Sequence, residues 1–305
     1  MIGDGVAGLC VATLLAERGE SVEVITAEQH CAASHWAGGM LAPWCEGESA
    51  PEEVIALGQR AAPWWSARIQ GVEHHGTLVL APARDTPELS RFARMTRAHQ
   101  WVAPASLEPA LEGRFARGLF FAGEAHLDPR SALHQLRANL QYRGVPFHTG
   151  TPGGAVIDCR GIHAAPDLPE LRAVRGEMLI LHSEDVQFSR PIRLLHPRFP
   201  CYLVPRDGGR FMLGATMVES NDHSPISARA MMELLSAAWA IHPALAEARI
   251  LESGTGLRPA FHNNIPAIHC QNGVWSVNGM YRHGFLLAPV MAEKLMLQLQ
   301  QENLI

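Results

Sequence analysis

The chain has 305 residues, 47% apolar and 18% charged, with a formal net charge of -5, which describes a folded globular protein of one large or two moderate domains. Lysine and arginine are dispersed through patterned segments, so nucleic acid is not an expected partner. No apolar run reaches the length of a membrane span, since even the tail from Phe285 to Leu299 is cut by Pro289, Glu293 and Lys294.

The first element pointing to chemistry is Gly3-Asp4-Gly5-Val6-Ala7-Gly8, a G-x-G-x-x-G that runs into an Ala- and Leu-rich helix stopping at Gly19. A strand is predicted over Ser21 to Thr26. In a dinucleotide-binding turn, Gly3 permits the tight bend, Gly5 lets a pyrophosphate approach the backbone, and Gly8 lets the helix lie close to the sheet. Unpaired amides of the first turn, including those at Val6 and Ala7, then hold phosphate oxygens. Only Met1 and Ile2 precede Gly3, so the first strand is expected to be nearly absent. The carboxylate that holds the adenosine ribose usually follows the glycines by about 20 residues. Thr26 occupies the strand end there; of Glu23 and Glu28, Glu28 is the expected ribose ligand.

Beyond Pro51, Glu52 to Ile69 reads as a helix interrupted at Pro63, with Trp64, Trp65 and Ile69 as core residues. Gly76 to Ala81 reads as a strand closed by Pro82, Glu88 to Gly113 as broken helix, and Gly118 to Phe121 as a short strand. Asp128 and Pro129 begin a helix that continues to Tyr142, with Asp128 as cap. Short strands are expected at Gly144 to His148 and Gly154 to Cys159. The next stretch is antiparallel in character: Gly176 to His182 is apolar, and Arg206-Asp207-Gly208-Gly209 joins Cys201–Pro205 to Arg210–Thr216 as a hairpin. Tyr202 and Val204 share one face of that hairpin, opposite Leu203. A helix from Ser227 to His242 follows, ended by Pro243.

The six cysteines, Cys10, Cys31, Cys45, Cys159, Cys201 and Cys270, form no CxxC pair, and no secretory leader is apparent. A reducing cytoplasm is the expected location. The sixteen histidines show no zinc-site spacing, so no metal is expected.

Four segments carry a resemblance. They are Ala33-Ser34-His35-Trp36-Ala37-Gly38-Gly39-Met40-Leu41-Ala42-Pro43, then Gly214-Ala215-Thr216-Met217, then Gly254-Thr255-Gly256-Leu257-Arg258-Pro259, and finally Asn278 to Pro289 with Tyr281-Arg282-His283-Gly284-Phe285-Leu286-Leu287 at its centre. In this order they resemble the D-amino-acid-oxidase family of flavoproteins, most closely the glycine oxidases of thiamine biosynthesis. The resemblance implies an α/β fold: an FAD-binding Rossmann-like domain (1–45, 125–170 and 252–305) and a mainly antiparallel α+β substrate-binding domain (46–124 and 171–251).

It also implies non-covalent FAD, with Gly3, Gly5, Val6, Ala7 and Gly8 at the pyrophosphate and Ser34, Gly38, Gly39 and Met40 along the flavin. Gly256, Arg258, Gly284, Phe285, Leu286 and Leu287 would form a collar at the isoalloxazine edge. Arg282 resembles the clamp for a substrate carboxylate, Arg258 an assisting cation, Tyr202 a hydroxyl donor to that carboxylate, and Met217 a pocket wall. A surface ion pair for either arginine and a plain core tyrosine are the alternatives. Glycine oxidases can carry a histidine two residues before the tyrosine, where this chain has Pro200. The implied reaction is FAD-dependent oxidation of glycine or a similar small amino acid by dioxygen, giving the oxo acid, ammonia and hydrogen peroxide, with coupling to thiazole synthesis. An amino-acid dehydrogenase, a sarcosine or D-amino-acid oxidase and an inactive FAD-binding scaffold stay open. So does assembly into a homo-oligomer.

Overall fold

The computed structural model describes residues 1–26, 32–195 and 201–305. Its first sheet is built around a strand reduced to one pairing position. Ile2 bridges Ile25 on one side and Asp158 on the other, both in parallel. The amide of Ile2 donates to Ile157 O at 2.9 Å, and Cys159 N returns a bond to Ile2 O at 2.8 Å. Strands Phe147–His148, Val24–Ile25, Ile157–Asp158, Val274–Asn278 and Ala267–Gln271 complete this layer, and only the last pair is antiparallel. The strand predicted over Ser21 to Thr26 is thus confined to Val24–Ile25, because a neighbour offering one bridge supports only a short ladder.

Helices Val6–Glu17, Pro129–Tyr142 and Gly284–Gln301 pack together beside this sheet. Their cluster includes Leu9, Val11, Leu14, Leu136, Leu140, Leu287, Val290 and Leu295, and it takes in Val54, Trp64 and Trp65 as well. The last helix continues through Pro289. Among the described residues no helix is long and apolar enough to cross a membrane.

Among the described residues the second sheet has nine strands and is antiparallel except where Ile192–Leu194 meets Thr77–Leu80. Its spine is the pairing of Arg172–His182 with Arg249–Ala260, which carries residues 254–258 from the far edge toward the first layer. The predicted hairpin forms between Cys201–Arg206 and Arg210–Gly214, with Gly208 and Gly209 at φ of 69° and 68°, a region open to glycine at no steric cost. The pleat sends Leu203 into the cluster beneath helix Ala228–Ile241 and turns Tyr202 and Val204 to the other face, with Met178 and Met212.

Two predicted elements are revised. The Glu52–Ile69 helix is two helices, Glu52–Gly58 and Ala61–Ser66, and the break falls before Pro63, which sits in the first turn of the second, where its missing N–H costs little. The region predicted as broken helix from Glu88 to Gly113 holds helix Thr86–Met95 and an edge strand, Gln100–Val102, recruited by pairing with Gly118–Phe120.

Asp128 caps Pro129–Tyr142 as its sequence position requires: its Oδ1 accepts from Arg130 N at 2.8 Å and Ser131 N at 3.2 Å. Asp128→Ala is expected to cost about 1 kcal/mol, read as a fall in melting temperature of roughly 3 °C.

Candidate active site

Two helix starts meet where the layers join. At the first, Gly5 occupies the cap position of Val6–Glu17 without a side-chain cap, and the first turn contains no acid. Ser34 Oγ lies 3.3 Å from Val6 N, and the first helical backbone bond is from Leu9 N to Gly5 O. Gly3 has φ of 100°, and a Cβ there would meet Cys159 O at 2.6 Å. A Cβ on Gly8 would run into the backbone oxygen of Gly3 itself. Turn and helix are therefore pressed together in a way that only glycine permits.

The second start belongs to Gly284–Gln301. Its cap residue, His283, makes no capping bond, its first turn has no acid, and His283 Nδ1 is buried without a partner among the described residues. A Cβ on Gly284 would come within 3.2 Å of Val6 Cγ1, so the two starts are neighbours. Open amides and two positive dipole ends suit a group that carries a pyrophosphate at one end and a ring gaining negative charge at the other. FAD is such a group. Val6, Ala7 and Gly8 with Ser34 would take its phosphates, while Gly284, Phe285 and Leu286 would face its ring.

A pocket of about 700 Å³, counted to its open mouth, adjoins the second start. Gly38, Gly39, Met40, Tyr202, Met217, Arg258, Arg282, Gly284, Phe285 and Leu286, all expected from sequence, line it. A Cβ on Gly38 would sit 2.6 Å from the Tyr202 ring, which fixes how closely the loop passes the tyrosine. Gly256 lies in the long strand opposite Gly176, with room for a Cβ beside Ala33, and Leu287 is buried in the helix. Neither residue is among those lining the pocket. Glu28 lies outside the described residues, as does Pro200.

The two expected arginines differ in their company. Arg282 Nη2 donates to Glu46 Oε2 at 2.5 Å and to Ser49 Oγ at 2.7 Å. Arg258 Nη1 donates only to the carbonyl of Thr216, at 3.0 Å, and among the described residues no carboxylate is within ion-pair distance of it. Burial raises the Tyr202 pKa, and the positive charges of both arginines pull against that rise.

Glu46, Arg193 and His283 are pocket residues that the motifs did not assign a role. Burial works to raise the Glu46 pKa, yet Arg282, His283 and Arg193 overcome it and hold the carboxyl well below its usual range. His283 was visible inside the fourth motif; Glu46 follows the first by three residues; Arg193 had no local signal.

Behind the pocket, Glu124 accepts from Cys45 N at 2.7 Å through Oε1, and its carboxyl is buried near the Thr77 hydroxyl. Burial lifts its pKa to about 7. An acid whose folded pKa lies above its unfolded value contributes stability fully below the unfolded value, and that contribution is lost as pH rises through the folded value. Glu124→Gln, which keeps the acceptor for Cys45, should therefore gain stability over the parent protein as pH rises from about 5 to 8, by roughly 3 kcal/mol. Thermal melts of both proteins across that range provide the check, and a pH-independent difference would contradict it.

The profile of the FAD dependent oxidoreductase family, DAO, matches residues 1–297. A Rhizobium etli protein provisionally named thiamine biosynthesis oxidoreductase ThiO is 52% identical, over 99% of this chain and 96% of its own. The crystal structure of glycine oxidase from Geobacillus kaustophilus superposes with a TM-score of 0.82 at 22% identity, covering 98% of this chain and 93% of that one. That of iminodiacetate oxidase from Chelativorans sp. BNC1 gives 0.81 at 22% identity, over 96% and 92%. At that identity the two structures speak for the fold.

Proposed function

Because the chain belongs to the DAO family of FAD-dependent oxidoreductases, we propose that it oxidises glycine or a similarly small amino acid, with dioxygen as the final acceptor. The products are the oxo acid, ammonia and hydrogen peroxide. The observation that carries the choice of substrate is Arg258: a guanidinium that lines the pocket together with Tyr202 and, among the described residues, has no carboxylate partner. Carboxylate is the anion whose two oxygens match that fork.

This assignment exchanges the roles expected of the two arginines. Arg258 becomes the carboxylate clamp, while Arg282 is already neutralised by Glu46 and shapes the wall. Tyr202 donates its hydroxyl to the same carboxylate, a role consistent with its being kept protonated by burial. Gly38 and Met217 bound the space around the carbon next to the amine. When bound, FAD supplies the oxidising equivalent for the C–H bond and transfers the electrons to dioxygen. The amine must release a proton before the bond is oxidised, and the ionised Glu46 and the arginines set the field in which it does so. Orientation of the substrate by Arg258 and Tyr202 is the chain's main contribution to rate.

The 52% identity to the Rhizobium relative supports a place in thiamine biosynthesis, with the oxidised glycine feeding thiazole assembly. Peroxide release with glycine, sarcosine, D-alanine and D-proline tests the reaction. Glycine should turn over fastest; no turnover of any of the four by FAD-loaded protein would overturn the reading.

A further inference from the structure

We propose that Glu46 determines specificity as a built-in counter-anion: it occupies Arg282 and restricts the pocket to substrates bearing one acidic group. The inference rests on the amino-acid reading above. Glu46 Oε2 accepts from Arg282 Nη2 at 2.5 Å and lies 2.9 Å from His283 Nε2, while Glu46 Oε1 is 3.8 Å from Arg193 Nη1. Arg193 is 3% exposed, its Nε has no partner among the described residues, and its Nη2 is tied to Glu48 at 2.7 Å. Glu48 is itself shared with Arg91 at 2.7 Å. The pocket thus has three guanidinium groups on its wall, Arg193, Arg258 and Arg282, and Glu46 is the one acid among the residues lining it.

With Glu46 ionised, Arg258 alone of these three has no carboxylate partner among the described residues. A substrate with one carboxylate satisfies it and leaves the Glu46 cluster undisturbed. A second carboxylate, carried on the amine or on the adjacent carbon, would meet the charge of the largely buried Glu46, and like charges so placed are costly. Glu46 is also held in position. It ends the four-residue helix Pro43–Glu46, which follows the strand Met40–Leu41, and the preceding residue's amide is fixed by Glu124.

Replacing Glu46 by glutamine removes the charge, keeps the shape and uncovers Arg282 as a second anion site, while Arg193 keeps Glu48. Binding of malonate and acetate to the FAD-loaded protein, read from the flavin absorption spectrum, reports the change without turnover. In Glu46→Gln the ratio of malonate to acetate affinity is expected to rise at least about tenfold, and kcat/KM for iminodiacetate over glycine to rise in step. Glu46→Asp, which withdraws the charge by one methylene, should shift both ratios the same way by about threefold. This second variant reads the proposal even if the glutamine variant does not fold. Ratios unchanged from the parent protein, including an equal loss for both ligands as from an ammonium contact or a purely structural role, would overturn it. Lack of flavin reduction by any amino acid would instead strike the oxidation reading and leave the malonate-to-acetate ratio measurable.

Discussion

Replacing Arg258 with alanine is expected to lower kcat/KM for the amino-acid substrate on the order of 10²- to 10³-fold, mostly through KM, with FAD still bound. Truncating one partner of a desolvated, hydrogen-bonded charge pair costs about 2–5 kcal/mol, and each 1.36 kcal/mol is about tenfold in rate. FAD should remain because the donors proposed to hold it are backbone amides at two helix starts, remote in kind from a guanidinium. Arg282→Ala provides the contrast. It removes a partner from Glu46, which keeps His283 at 2.9 Å and Arg193 at 3.8 Å, so its larger effect should be on thermal stability and its smaller one on KM. Steady-state kinetics of the two variants decide between them. An Arg282 variant with the greater rise in KM would return the clamp to the residue that the motif first suggested.

Gly8→Val should yield protein that folds but purifies without its yellow cofactor, with FAD affinity reduced at least about 100-fold. The reason is steric and local. A Cβ at this position lands on the backbone oxygen of Gly3, and a backbone atom cannot rotate away as a side chain can. Helix and turn must separate, and the first-turn amides move off the pyrophosphate position. The apolar side of the helix, with Leu9, Val11 and Leu14, still packs against Gly284–Gln301, so helical circular dichroism should be retained. Flavin content of the purified variant settles the matter; a normal complement would show that this turn does not hold the cofactor.

What the sequence made legible was local chemistry. The glycine spacing placed the first turn, Asp128 placed a helix start, and Asp207-Gly208 placed a hairpin, since each depends on residues within a few positions of one another. The four motifs similarly carried Gly38, Gly39, Met40, Met217, Arg258, Arg282, Gly284, Phe285 and Leu286 of the lining. Nonlocal consequences were hidden. Gln100–Val102 is a strand because Gly118–Phe120 offers it an edge, and nothing within its own three residues declares that. Ile2 is a working sheet position because both neighbours reach it, although two residues ahead of a turn look too few. Arg193 and Glu46 come together only when the strand Ile192–Leu194 is set beside the helix Pro43–Glu46, and Glu46 meets Arg282, the pairing that leaves Arg258 as the free arginine, only across 236 positions of sequence. The roles given to Arg282 and Arg258 from sequence did not take in the Glu46 carboxylate, and that pairing is what leads us to propose their exchange.

Anaerobic titration of the purified, FAD-loaded protein with glycine, followed by admission of air, tests the central claim most directly. The flavin absorption should bleach with glycine alone, and air should restore it with release of hydrogen peroxide. A flavin that stays oxidised under glycine, sarcosine and small D-amino acids while dithionite still reduces it would contradict the claim.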